Sequence, residues 1–355
     1  MNGYIYVCHT YYHVYISVLK ELARPKEEQG KATIVLSKMS TDFENLKDRL
    51  DASGFFRKVI EYDEKNMDFF PDLAKYRQKS SNAVSGMINR INLTTKFAKL
   101  QEKYVPVNFR EYEQIYVFCD SDPIGYYLNK NHIRYHAVED GLNTIKGSDL
   151  ARVDNSPHFK LKVFFSKKLN LIFIQNGYGK YCIDMEVNDI SILKYPCPYY
   201  VEVPREKLYQ RLLPEEKEMI LKMFVKNEEK LRNILNNREQ STLLILTEPL
   251  CDMETRKKIF ADMKEKYEDR YQIIFKQHPR DFLDYEKEFP DCCLIDRTVP
   301  MEMINFYGEG IFDLVIAVFT ELDNIYFAKN KIRLGRDFMD AYEDIEIHKS
   351  RFESK

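Results

Sequence analysis

Hydrophobic and polar positions alternate in blocks along this chain: short, nearly continuous apolar runs give way to amphipathic stretches of helical length. Tyr4 to Cys8, Ala32 to Leu36 and Lys58 to Tyr62 read as strands, with helices expected at Tyr11 to Ala23 and Asp42 to Leu50. That order is the signature of a parallel sheet with crossover helices. Residues 67–110 break the rhythm with a mostly helical pattern rich in Lys, Arg and Ser, expected as a surface excursion. The alternation resumes with a strand at Ile115 to Cys119, a helix at Pro123 to Asn129 and a strand at Ile133 to Val138. A polar loop follows to Pro157, then a strand-like run at Leu171 to Gln175 that stops at the Asn176-Gly177 turn.

The stretch from Tyr195 to Pro214 holds prolines 196, 198, 204 and 214 and no period, which marks a linker. Pro214, with Glu215 and Glu216 behind it, fits the first turn of a long helix running to Leu235. Beyond it the alternation repeats. Strands are expected at Leu243 to Leu246, Tyr271 to Lys276, Cys292 to Ile295, Leu314 to Val318 and Lys331 to Leu334. Helices are expected at Met253 to Tyr267, Pro300 to Phe306 and Glu321 to Ala328. The pattern therefore predicts an α/β protein of two Rossmann-like parallel-sheet lobes. These are residues 1–195 and 215–335, joined by a linker at 196–214 and followed by a polar tail at 336–355. A length of 355 residues suits two such lobes.

Composition narrows the function classes. A net charge of −2 gives no global attraction to nucleic acid. The seven cysteines form no CxxC pair and no metal-ligand spacing, which points to a reducing compartment without disulfides. The chain opens on a strand rather than a basic, then apolar, leader, and no apolar run is long enough to span a bilayer. The expected location is cytoplasmic, at most peripheral to the inner face of the plasma membrane. Lys160 to Leu169 mixes cations and aromatics and is the stretch for such a contact, although a solvated amphipathic face explains it equally well. The 25 tyrosines suit sugar or base binding, and a codon bias accounts for them just as well.

The candidate chemistry collects at strand ends, where open α/β sheets hold ligands. Val138 leads into Glu139-Asp140-Gly141, two carboxylates before a glycine, with Asp140 a candidate general base and Glu139 a like charge raising its pKa. The strand ending at Lys276 leads into Gln277-His278-Pro279-Arg280. Pro279 biases His278 toward an extended backbone, so the imidazole is presented from a rigid strand end. A protonated His278 there could donate to a leaving phosphate, with Arg280 adding a charge-assisted contact. The two turns are expected to face each other across a cleft. Thr247-Glu248-Pro249 and Asp252 place two further carboxylates at strand ends, Glu302 lies near a helix start, and Thr320 is positioned for phosphate. Helix capping would explain Asp252, Glu302 and Thr320 equally well. His9-Thr10 lies at the first strand-to-helix turn and could touch a ligand. His9 and His13 are spaced i, i+4 but lack a third ligand, so no metal is expected. There is no P-loop and no GxGxxG, so nucleoside triphosphate hydrolysis and dinucleotide binding find no support.

Taken together, Tyr6-Val7-Cys8-His9-Thr10, Ile115-Tyr116-Val117, Glu139-Asp140-Gly141, Leu243 to Pro249, His278-Pro279 and Pro300-Met301-Glu302 resemble the bacterial sialyltransferases of glycosyltransferase family 52, the lipooligosaccharide and capsule group. The resemblance runs along most of the chain. It implies a GT-B-type fold and a metal-independent, inverting transfer from CMP-sialic acid to a galactose-type hydroxyl of a cell-surface glycan, with no cofactor. In that frame His278 protonates or hydrogen-bonds the departing CMP phosphate and Glu302 holds the ribose. Asp140, or else Asp252, deprotonates the acceptor. One departure stands out: the family's Ser/Thr pair at the phosphate site is here Val318-Phe319-Thr320-Glu321, with a single hydroxyl. A UDP-hexose donor and a non-catalytic two-lobed binding protein are the competing expectations. A homodimer is open.

Overall fold

A computed structural model describes residues 2–78, 82–146, 149–195, 197–236, 240–323 and 325–344. The chain divides into two compact units, Met1–Glu216 and Lys217–Lys355. In the first, seven strands form one parallel sheet: β1 (Asn2–Cys8), β2 (Thr33–Ser37), β3 (Lys58–Tyr62), β4 (Tyr112–Phe118), β5 (Tyr135–Val138), β6 (Cys182–Val187) and β7 (Tyr200–Glu202), in the order β3-β2-β1-β4-β5-β6-β7. The second unit repeats the plan with five: β8 (Thr242–Leu246), β9 (Gln272–Lys276), β10 (Cys293–Ile295), β11 (Phe312–Ala317) and β12 (Ala328–Arg333), in the order β10-β9-β8-β11-β12.

Burial on both faces explains why the strands read as apolar runs. Ile5 to Cys8 and Ile34 to Leu36 are almost wholly out of water, as are Leu243 to Ile245 and Val315 to Ala317. Each unit has its own core, one around Val7, Val117 and Tyr135, the other around Ile245, Phe260 and Phe275. In each sheet the strand order reverses once, between β1 and β4 and between β8 and β11. Open α/β sheets hold ligands at such a switch point, outside the C-terminal strand ends.

Several expected elements take other forms. Leu171 to Gln175 is no strand; Ile172 and Ile174 instead fill a satellite core against Met87 and Ile91 of the Ala83–Gln101 helix. Apolarity marks burial here without fixing backbone form. The stretch at 196–214 carries β7, paired to β6, and a helix at Arg205–Gln210 that packs on the Tyr11–Leu22 helix; Pro196 lies outside the described residues. The helix expected from Pro214 to Leu235 is two, Pro214–Phe224 and Glu228–Asn236, because the Asn227 side chain accepts from Lys230 N–H at 2.8 Å and starts a new helix. No helix forms among the described residues of 321–328, and β12 begins at Ala328. Of the tail, 345–355 lie outside the described residues.

Candidate active site

At the β1/β4 switch point the chain turns sharply after each strand. Thr10 caps the Tyr11–Leu22 helix, its hydroxyl accepting from His13 N–H at 3.2 Å. After β4, Cys119 takes a left-handed backbone with φ of 59°, a strained geometry for a residue with a Cβ. The chain then passes through Asp120 and Asp122 into the Pro123–Lys130 helix. Gly125 lets that helix press on the preceding turn, since a Cβ there would lie 1.9 Å from the Asp120 carbonyl oxygen.

These turns gather two imidazoles and three carboxylates. His13 accepts from His9 N–H through Nδ1 at 3.0 Å, so the neutral ring carries its proton on Nε2. Nε2 lies 3.0 Å from Asp140 Oδ1 and 2.6 Å from the Asp140 carbonyl oxygen. Burial keeps His13 below its ordinary value, against the pull of Asp140. The Asp140 side chain is 52% exposed. Burial pushes its carboxyl up, but the His13 hydrogen bond and charge, with Cys119 and His9, more than cancel that and bring it to about 2. His9 Nε2 lies 2.8 Å from Glu64 Oε2 and 3.4 Å from Asp122 Oδ2. Burial opposes the imidazolium, yet Glu64, Asp122 and Asp140 raise it to about 9. Asp122 itself is pushed up to about 7, chiefly by burial. Glu64 ties the strand ends together, accepting also from Ser37 Oγ at 2.6 Å and Ile124 N–H at 2.7 Å.

At the β8/β11 switch point the second unit builds a different environment. His278 N–H donates to Thr247 Oγ1 at 3.0 Å, and Arg280 N–H donates to His278 Nδ1 at 3.1 Å. The neutral imidazole thus bears its proton on Nε2. Burial, then the charges of Arg280 and Lys276, lower His278 to about 4. The turn is braced from behind by Asp281, fully buried, which accepts from Arg256 Nη1 at 2.7 Å and Tyr285 O–H at 2.7 Å. After β11, the backbone N–H groups of Val318, Phe319 and Thr320 and the Thr320 hydroxyl converge on one anion, the carboxylate of Glu248, at 2.8–3.1 Å. Lys276, at the end of β9, is buried and thereby lowered to about 8, with Asp296 and Glu302 pulling it back up.

The structure thus brings His9, Thr10 and Asp140 together at the strand ends of one sheet and His278, Pro279, Arg280 and Thr320 to the strand ends of the other. Four expectations change. Glu139 does not raise Asp140; it is buried and turned into the following loop, accepting from Asn188 N–H at 2.9 Å and Ile145 N–H at 3.4 Å. His278 is neutral rather than protonated. Asp252 caps the Met253–Tyr267 helix, both its oxygens engaged by Thr255 at 3.0 and 2.7 Å. Thr320, expected on phosphate, is already paired with Glu248. Gly141 allows the close approach of Thr144, whose Cγ2 would lie 2.9 Å from a Cβ. Glu302, in the first turn of a 3-10 helix at Met301–Tyr307, is raised by burial and opposed by Lys276. Sequence reasoning weighed His13 only as a metal ligand and passed over Glu64, Asp122, Lys276 and Asp281. Their signal was present, as polar residues within a few positions of strand ends. Among the described residues no group of His, Cys, Asp and Glu is arranged to hold a metal ion.

No family model and no curated protein matches this sequence. Solved structures do. A 2,6-sialyltransferase from a Photobacterium species of the Vibrionaceae, with donor product CMP and acceptor substrate lactose, aligns over 99% of this chain and 76% of its own, at 10% identity and a TM-score of 0.57. The α/β-galactoside α-2,3-sialyltransferase of Photobacterium phosphoreum aligns over 93% and 90%, at 12% identity and 0.51. The GT-B domain of a Photobacterium damselae sialyltransferase aligns over 92% and 90%, at 11% identity and 0.51. The chain has the GT-B-type α/β fold of these bacterial sialyltransferases, one parallel sheet in each of two units.

Proposed function

We propose that this protein is a metal-independent, inverting glycosyltransferase that moves sialic acid from CMP-sialic acid to a galactose-type hydroxyl of a cell-surface glycan. The observation that carries the reading is the division of labour between the two switch points: an ionised carboxylate at the first, a neutral imidazole with its proton on Nε2 at the second. The acceptor oxygen bonds to the anomeric carbon as the bond from that carbon to the phosphate oxygen breaks. The acceptor proton passes to Asp140, oriented by His13, and the bonding pair leaves with CMP. His278 Nε2–H donates to the phosphate oxygen, where negative charge grows, and Arg280 adds positive potential. The neutral ring keeps its Nε2 proton throughout, stabilising the growing charge by hydrogen bonding, and CMP departs as its phosphate dianion.

Glu248 supports a monophosphate donor over the alternative UDP-hexose. A diphosphate needs a second anion site, and the row of N–H groups suited to one is filled by the chain's own carboxylate. The direct test is CMP release from CMP-sialic acid, with and without lactose, for the native protein, His278→Ala and Asp140→Asn. Acceptor-stimulated release should fall by about 10²–10⁴-fold in both variants. Absence of release and of CMP binding by the native protein would overturn the reading.

A further inference from the structure

Two stretches without a single acidic residue meet on the first unit. Between Asp72 and Glu102 the basic residues are Lys75, Arg77, Lys79, Arg90, Lys96 and Lys99. Between Asp154 and Asp184 they are Lys160, Lys162, Lys167, Lys168 and Lys180. Such a concentration of cations is unexpected in a chain of net charge −2. The fold brings the stretches together: Met87 and Ile91 of the Ala83–Gln101 helix pack in one cluster with Phe159, Val163 and Phe165. Arg90 reaches across to the Phe173 carbonyl oxygen at 3.4 Å, and the Lys162 ammonium lies within the field of Arg90.

The apolar stripe of the helix does not end where that packing ends. Val84 and Ile88, which continue it, are 70% and 53% exposed. On the other stretch Leu161, Phe164 and Leu169 are 54%, 49% and 46% exposed. The result is a face of large apolar side chains in water, set among Lys160, Lys162 and Lys168. Its chemistry selects a partner. A nucleic acid would satisfy the cations and leave the leucines and phenylalanine unmet. A second copy of the same face would oppose like charges across a self-complementary interface. An anionic bilayer answers both features, with headgroup charge for the lysines and the acyl boundary for Leu161 and Phe164.

We propose that this face docks the protein on an anionic lipid surface. Docking is independent of the donor assignment. Its relation to catalysis rests on the proposed function: Asn176 N–H donates to Asp120 Oδ1 at 2.8 Å, tying the docking segment to the β4 turn that carries Asp122. The docking segment thus lies on the unit that carries Asp140.

The test is co-sedimentation of the full chain with vesicles of phosphatidylcholine alone or with phosphatidylglycerol added. Binding should require phosphatidylglycerol and fall at least about tenfold when salt rises from about 0.05 to about 0.5 M. Lys160→Glu with Lys168→Glu should weaken it about tenfold or more. Leu161→Ser with Phe164→Ser should remove the binding that survives high salt. All four side chains are at least partly solvated, so melting temperature and CMP release with soluble lactose should stay at native values. Equal partition to both vesicle types, or anionic binding unchanged in both double variants, would overturn the proposal. So would a native dimer that Phe164→Ser dissociates, with no vesicle binding. A protein that binds vesicles as described but releases no CMP would sink the enzymatic reading and leave the docking intact.

Discussion

Two histidines of this chain are driven in opposite directions by their surroundings. His9 is buried against carboxylates and raised from 6.5 to about 9, so its charge stabilises the fold in full below pH 6.5 and the contribution is lost as pH climbs through 9. His278 is buried beside cations and lowered from 6.5 to about 4; its neutral ring favours the fold above pH 6.5, and that advantage is lost as pH falls toward 4. Thermal melts of His9→Gln against the native protein should show a deficit near about pH 6 that narrows toward about pH 10. A deficit that does not change with pH would mean that His9 acts through packing alone. Glu248 offers a second test at this scale. Glu248→Ala vacates an anion nest, so titration calorimetry should find the CDP-to-CMP affinity ratio raised about tenfold or more relative to the native protein. An unchanged ratio would mean that the nest lies away from the nucleotide phosphates.

Among the elements, the short turns after strands are tied by contacts from distant parts of their own unit. The His278 turn hangs on Arg256 and Asp281, an ion pair out of water that Tyr285 O–H, Leu283 N–H and the Cys251 carbonyl oxygen also engage, while the buried Arg256 Nε has no hydrogen-bond partner. The Asp122 turn is held by the contact between the Pro123–Lys130 helix and the Asp120 carbonyl oxygen, which only a glycine at 125 permits. Gly125→Ala should therefore destabilise the first unit by about 1–3 kcal/mol. It should also lower CMP release, because the shift falls on the turn that carries Asp122. Urea denaturation and the release assay together check this, and a variant of native stability and activity would contradict the packing.

On the scale of the whole molecule, each sheet closes over its own core, and the proposed transfer assigns donor and acceptor chemistry to separate units. Hydrogen exchange should register that separation. CMP is expected to slow exchange at 247–248, 278–280 and 318–320 and leave 9–13 unchanged. Protection centred on the first unit would reverse the assignment of donor and acceptor sides. Charge is also divided unevenly, with acid-free stretches on the first unit offset by acids elsewhere, so the near-neutral total conceals a cationic face. No helix among the described residues is long and apolar enough to cross a membrane.

The alternation of apolar runs and amphipathic stretches by itself determined the α/β class, the two parallel sheets and most of the strands, because a strand buried on both faces must be apolar throughout. It also placed Asp140 and His278 at strand ends, since turn chemistry is local and proline and glycine announce it. Tertiary structure decided the rest. β6 and β7 lie in polar or proline-bearing sequence and exist because a neighbouring strand offers them hydrogen bonds, whereas Leu171 to Gln175 is apolar yet finds no strand to pair with. The protonation of His278, the engagement of Asp252 and Thr320, and the pairing of His13 with Asp140 all depend on groups tens of residues away, or on side-chain orientation within a turn. Linear spacing carries neither kind of information. A residue's charge state is set by what is brought within hydrogen-bonding distance and by how much water is removed, and only the folded chain fixes those two quantities.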